Sequence, residues 1–337
     1  MRRSLLLILS AFALLASCIT EDVPRNTPMG NFEALWKAMD QHYCFFDAKQ
    51  KLYGVDWDEV HTRYRSRITP NMTNIQLFDT LDNMLATLRD GHVNLYASHD
   101  VARYWQWYEN YPANYSDSLL RVYMGTDYAI AAGMYYKVID GNIGYLRVST
   151  FENSIGDGNL TEIFRRFALT DGIIVDVRSN QGGMITSAEK LASCFYTKRQ
   201  IAGYMQHKTG TRHNDFSKPE AIYIDRMKGI YWRKPVVVLT NRSTFSAGNN
   251  FVMYVKDLPN VTLVGDRTGG GAGMPFQSEL PNGWSVRFSA CPIYDAGMQL
   301  TEDGIEPDVR VDITSADYQR SRDTIIERAI DIILSSK

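Results

Sequence analysis

An excess of charge of either sign is missing from this chain: 36 Lys and Arg stand against 38 Asp and Glu, a net −2 over 337 residues. No basic stripe interrupts that balance, so the composition points away from a nucleic-acid partner. The six histidines (His42, His61, His92, His99, His207 and His213) are dispersed, and none sits at metal-ligand spacing from cysteine or acid. No metal and no other cofactor is expected. Long apolar runs are also lacking; the one candidate, Leu5 to Leu15, is too short to span a bilayer. Internal repeats and low-complexity tracts are absent. Cysteine is scarce, at four. Were Cys18 used elsewhere, Cys44, Cys194 and Cys291 would allow at most one internal pair, and none has the surroundings of a cysteine nucleophile.

What is present is ordinary globular material, 45% hydrophobic and 22% charged, in a chain long enough for a substantial core and two domains. The N-terminus reads as a bacterial secretion signal: Arg2-Arg3, the short apolar run, then Leu15-Ala16-Ser17-Cys18. The small residues before Cys18 resemble a lipoprotein signal-peptidase box. That implies a signal peptide over 1–17, acylation of Cys18 and a tether to a membrane of the cell envelope of a Gram-negative-type bacterium, on its periplasmic side or at the cell surface. A plain secretory signal with an incidental cysteine is the alternative. Residues 18–30 read as a flexible tether.

Helical periodicity fills 31–88, within a first domain expected over 31–98. Phe32, Leu35, Trp36 and Met39 share one face, Trp57, Val60 and Tyr64 another, and Leu77, Phe78, Leu81, Met84, Leu85 and Leu88 a third. Asp56 with Glu59 and Thr73 with Gln76 are spaced as capping boxes. An N-terminal helical domain is expected there, with the stripes assigned to core. Residues 99–140 form an aromatic-rich connecting segment (Tyr104, Trp105, Trp107, Tyr108, Tyr111, Tyr115), either lining a groove or, as the favoured reading, packing on the core. Residues 141–337 alternate between strands (143–148, 172–177, 235–240, 261–265) and helices (159–169, 184–197, 246–257). Pro281-Asn282-Gly283 marks a hairpin, and a terminal helix runs over 315–334.

Three segments carry candidate chemistry. VVVLTNRSTFSAGNN (236–250) delivers Ser246 from a strand to a helix N-terminus, where N–H groups and the helix dipole favour negative charge. Ser246 could equally be an N-cap. GIIVDVRSNQGG (172–183) places Gly182 and Gly183 at the carboxyl end of a buried strand, a position for ligands in open α/β sheets and for N–H groups facing them, or simply a tight turn. LRDGHVNL (88–95) puts His92 after a turn, at the start of a strand.

The ordered set resembles the C-terminal processing (tail-specific) serine proteases, and within them the tricorn-like branch. The matching residues are Leu88-x-Asp90-Gly91-His92, Asp176-x-Arg178-x-Asn180-x-Gly182-Gly183, Leu239-Thr240-Asn241, Thr244-x-Ser246-Ala247-Gly248, Val264-Gly265-Asp266-x-Thr268-x-Gly270 and Gly304-Ile305-x-Pro307-Asp308, spanning 88–308. The resemblance implies an α/β (α+β) core of the ClpP/crotonase-like kind, a spiral of ββα units, and a serine peptidase acting on protein or peptide substrates. It also implies Ser246 as nucleophile, His92 as general base, and Ala247 with Gly182 or Gly183 as oxyanion donors. A Ser–Lys dyad is not implied, because Gly271 occupies the lysine's place and no lysine follows Lys256 until Lys337. Glu302 is the candidate to orient the imidazole. The family's glutamate falls at Thr301, one residue earlier, and Asn249 replaces a second common glutamate. About 50 residues separate His92 from the strand at 143, too few for a complete PDZ domain. The rival expectation is a catalytically inactive module of the same fold that binds peptides or apolar ligands. Natural substrate, cleavage specificity and oligomeric state are not legible.

Overall fold

The computed structural model describes residues 25–336; the signal peptide, Cys18 and most of the expected tether lie outside the described residues. Within that tether, the first helix already starts at Pro28, capped by the Thr27 side chain.

Among the described residues, thirteen strands form two sheets: β1 (Asn94–Tyr96), β2 (Val101–Arg103), β3 (Ala129–Ala131), β4 (Met134–Ile139), β5 (Ile143–Arg147), β6 (Gly172–Asp176), β7 (Gln200–Met205), β8 (Glu220–Ile224), β9 (Val236–Thr240), β10 (Val261–Gly265), β11 (Gly273–Glu279), β12 (Ser285–Asp295) and β13 (Val309–Arg310). The larger sheet runs β13-β10-β9-β6-β5-β4-β3. Its centre, β10 to β5, is parallel and joined by the Asp157–Phe167, Ile185–Ala192 and Ala247–Val255 helices. β5, β6 and β9 are buried on both faces, as their unbroken apolar runs predict. The smaller sheet runs β2-β1-β12-β7-β8, with β11 paired to β12 across the Pro281-Asn282-Gly283 hairpin. This is the α/β, ClpP/crotonase-like architecture expected.

The N-terminal helices, Pro28–His42 to Asn74–Ala86, build their own core with Leu280, Trp284, Val286 and Phe288 of the β11–β12 hairpin. Thr73 and Gln76 form the expected capping box, and Asp56 caps its helix through its carboxylate. Residues 99–140 contain no PDZ fold. Two short helices (Gln106–Glu109, Asp117–Met124) lead into the β3–β4 hairpin, which extends the larger sheet. The terminal helix is two helices, Ser315–Gln319 and Thr324–Ser335. Asp323 caps the second.

Asp323 explains the family-like pair Asp176-x-Arg178. Arg178, fully buried, donates to both oxygens of Asp176 (3.0 and 2.8 Å) and to Asp323 (2.8 Å), while Tyr145 donates to Asp176 at 2.6 Å. Burial would raise the Asp176 carboxyl, but Arg178 and Arg147 hold it down at about 2. The cluster ties the last helix to the carboxyl edge of β6. Arg178→Met should therefore cost at least about 3 kcal/mol, because buried Asp323 loses its cation and buried Asp176 the nearer of its two. Urea denaturation checks it, and a cost under about 1 kcal/mol would contradict a structural role.

Candidate functional site

Ser246 occupies the turn from β9 into the Ala247–Val255 helix with φ 56° and ψ −124°, a conformation rarely adopted by a side-chain-bearing residue. Backbone bonds impose it: Phe245 N–H to the Asn180 carbonyl, Ser246 N–H to Gly270 and Gly248 N–H to Phe245, each 2.9 Å. The Ser246 side chain makes no capping bond, so the N-cap alternative does not describe it. Its small neighbours are sterically required. A Cβ on Gly248 would meet the Asn180 carbonyl at 2.5 Å, and one on Gly182 would meet the Ser246 Cβ at 2.7 Å.

The two glycines are not equivalent. The Gly182 N–H is spent on the Asn180 side chain at 2.9 Å. Among the described residues, the N–H groups of Gly183 and Ala247 have no acceptor, and Gly183, at φ 132°, lies against Phe151 in a short parallel bridge.

His92 precedes the strand that was expected to begin with it; β1 starts at Asn94. Asp90 fixes the turn, accepting from the His92 N–H at 2.7 Å and from the Tyr43 hydroxyl at 2.7 Å. The imidazole packs against Phe245 at a tilt (centroids 4.6 Å, planes 52° apart), and Phe245 in turn stacks on Trp107 (4.2 Å). Its Nδ1 lies 3.4 Å from the Ser289 hydroxyl. Burial lowers the ring to about 4, opposed by Asp90 and reinforced by Arg287, Arg103 and Lys49. The imidazole is thus neutral at pH 7.

His92 and Ser246 line one cavity of about 500 Å³, with Gly182, Gly183, Ser149, Thr150, Trp105 and Trp107 also on its walls. No hydrogen bond joins the two side chains. The aromatic segment is accordingly divided: Trp107 is buried against Phe245, while Trp105, 40% exposed, faces the cavity.

Glu302 is not brought to His92. It lines a separate cavity of about 230 Å³ with Lys49 and Arg242, behind a wall of Gly91, Trp107 and Phe245 that both cavities share. There its Oε1 pairs with Lys49 at 3.3 Å and its Oε2 accepts the Ala272 N–H at 2.8 Å. Burial and then Asp90 push its carboxyl well above the usual range, against Lys49 and the Ala272 N–H. Lys49, which burial alone would lower, is held above its ordinary value by Glu302 and Asp90. The two oxygens of the carboxylate expected to orient the imidazole are thus bonded to Lys49 and the Ala272 N–H, and neither bonds to His92. The hydroxyl beside the imidazole belongs to Ser289, on a hairpin strand whose sequence carries no mark of it.

The two departures from the family pattern meet each other. Asn249 donates to the Thr301 hydroxyl at 3.1 Å and accepts from Thr268 at 2.7 Å, in a fully buried, neutral network. Two neighbouring carboxylates in that space would repel, whereas amide and hydroxyl satisfy each other. Among the described residues, no group of three or more His, Cys, Asp or Glu could hold a metal ion, and no helix is long and apolar enough to cross a membrane.

With this geometry in view, comparison with known proteins places the chain in a family. Residues 142–311 match peptidase family S41, and residues 24–86 match the tricorn protease C1 domain. The chain belongs to peptidase family S41. It is 29% identical over 204 residues to the tricorn protease of Thermoplasma volcanium, covering 58% of this chain and 18% of that protein. It is 25% identical over 183 residues to the carboxy-terminal processing protease CtpA of Bacillus subtilis, covering 53% and 37%. These matches span well under two thirds of either relative. A solved structure of a peptidase candidate from Parabacteroides merdae shares 49% identity, with a TM-score of 0.88 over 92% of this chain and 98% of that one.

The depressed His92 value has a consequence for stability. An unfolded histidine titrates near 6.5 and the folded one near 4, so between those values the unfolded chain binds more protons. Stability held by the neutral ring is complete above pH 6.5 and lost as pH falls toward 4, by about 3 kcal/mol in all. His92→Gln should flatten the dependence of unfolding free energy on pH across that window. An unchanged slope would mean that the ring is solvated.

Proposed function

We propose that this protein is a serine endopeptidase in which Ser246 attacks a peptide carbonyl and His92 takes its proton, then returns it to the leaving amine. The observation that carries the reading is the conjunction at one cavity of a backbone-strained serine, a neutral imidazole and the unspent N–H of Gly183, with the unspent N–H of Ala247 next to Ser246 in the chain. A neutral ring can accept a proton, as a general base must. Ala247 and Gly183 would hold the tetrahedral oxyanion, Gly183 being preferred because the Gly182 N–H is already bonded. Closing of the His92–Ser246 contact would accompany substrate binding, since catalytic hydrogen bonds commonly tighten only in the complex. The Ser289 hydroxyl beside Nδ1 would steady the ring in place of a carboxylate. Glu302 would then serve the neighbouring buried charge cluster rather than the triad.

Substrates would be proteins or peptides of the cell envelope, reached by a chain anchored through Cys18. The helical segment 31–98, the connector 99–140 and the core 141–337 would act as one unit, since His92 comes from the first and Ser246 from the last.

Hydrolysis of an unfolded protein such as reduced casein tests this. Ser246→Ala and His92→Ala should each lower kcat/KM by about 1000-fold or more, whereas Glu302→Gln should cost much less than either. No hydrolysis by the folded wild-type protein would favour the non-catalytic, ligand-binding reading of the fold, and undiminished hydrolysis by Ser246→Ala would overturn Ser246 as the nucleophile.

A further inference from the structure

The cavity that holds Ser246 and His92 is also lined by Arg103 and Arg287. Their positions follow from strand register. Asn94 of β1 pairs with Arg103 of β2 on one side and with Arg287 of β12 on the other, so the three residues form one row across the smaller sheet. Paired residues share a face, and the two arginines are two strand spacings apart, about 10 Å between backbones. Long side chains can converge on one small anion from that separation.

Nothing within the described protein neutralises them. Neither has a carboxylate within ion-pair distance among the described residues. Arg103 donates its Nε to the buried Asn94 side chain, which itself donates to the Gly91 carbonyl at 3.3 Å, and its guanidinium lies 4.7 Å over the Trp105 ring. Asn94 and Trp105 thus set the plane of that guanidinium and leave its outer N–H groups toward the cavity. Arg287 makes no side-chain hydrogen bond or ion pair among the described residues. Both are half-buried, on the wall that carries His92, and the one acidic side chain lining the cavity is Glu152.

We infer that Arg103 and Arg287 form a carboxylate-binding subsite that selects peptides bearing an acidic group on the leaving-group side of the cleaved bond. The side follows from the proposed mechanism, on which this inference rests: the departing amine must receive its proton from His92, so the segment that departs lies along the His92 wall. The arginine fork accepts a carboxylate through paired charge-assisted bonds. That carboxylate can be an aspartate or glutamate side chain or the chain terminus itself.

Protection of Ser246 from a fluorophosphonate probe separates these cases. The competing peptides are an acetylated pentaalanine amide carrying glutamate at its fourth position, the same peptide with glutamine, and acetylated pentaalanine as the free acid. Labelling without peptide reports the serine alone, and its failure would defeat the peptidase reading. In that event, calorimetry of the same peptides with the wild-type chain decides whether the carboxylate subsite exists independently of catalysis. Where labelling occurs, the glutamate peptide should protect at about tenfold lower concentration than the glutamine peptide. Arg287→Gln or Arg103→Gln should erase that difference, and Arg287→Lys should restore part of it. Preference for the free acid over the neutral peptide, with no preference for glutamate, would assign the subsite to the chain terminus. Equal behaviour of all three peptides, or a preference that survives both substitutions, would overturn the inference.

Discussion

The left-handed turn at Ser246 is the constraint around which the site is arranged. A serine at φ 56° costs about 1–3 kcal/mol and persists only where surrounding bonds over-determine it. Here three loops at the carboxyl edge of the parallel sheet interlock through main-chain hydrogen bonds from Phe245 to Asn180, Ser246 to Gly270 and Gly269 to Thr244. Those loops follow β6 and β9, buried throughout, and β10, buried at all but one residue. The core of the sheet therefore holds the serine, whose Cβ demands glycine at 182, while the Asn180 carbonyl demands glycine at 248.

The histidine reaches the same cavity from a different direction. It is carried by the turn between the helical region and β1, and it is fixed by Asp90, Phe245 and Ser289. Burial of that turn suppresses the charged imidazole, which suits a group that must begin as a base. Beyond the Phe245–Trp107 wall, Lys49, Glu302, Asp90 and Tyr43 form a second polar cluster that binds the helical region to the β10–β11 loop. The two centres communicate electrostatically, since Lys49 and Asp90 both act on His92, yet they share no reacting side chain.

Much of this was readable from residue order, and the limits have physical causes. Parallel strands buried on both faces announce themselves as apolar runs, so β5, β6, β9 and β10 lie within a residue or two of expectation. The Ser246 turn was legible because strand, small residues and helix are contiguous. β7 and β8 carry mixed burial and left no clear pattern. The surroundings of Glu302 were not legible, because proximity in a motif says nothing of which side of an aromatic wall a carboxylate faces. Ser289 and the Arg103–Asn94–Arg287 row were invisible because they depend on register between strands nearly two hundred residues apart. Asn249 and Thr301 looked like two separate losses until the fold placed them in contact.

The most direct measurement of the central claim is the site of covalent modification by a fluorophosphonate at neutral pH, read by peptide mass mapping. The account predicts a single adduct on Ser246 that disappears in His92→Ala while the variant remains folded. An adduct on another serine, or undiminished labelling of Ser246 without His92, would contradict it.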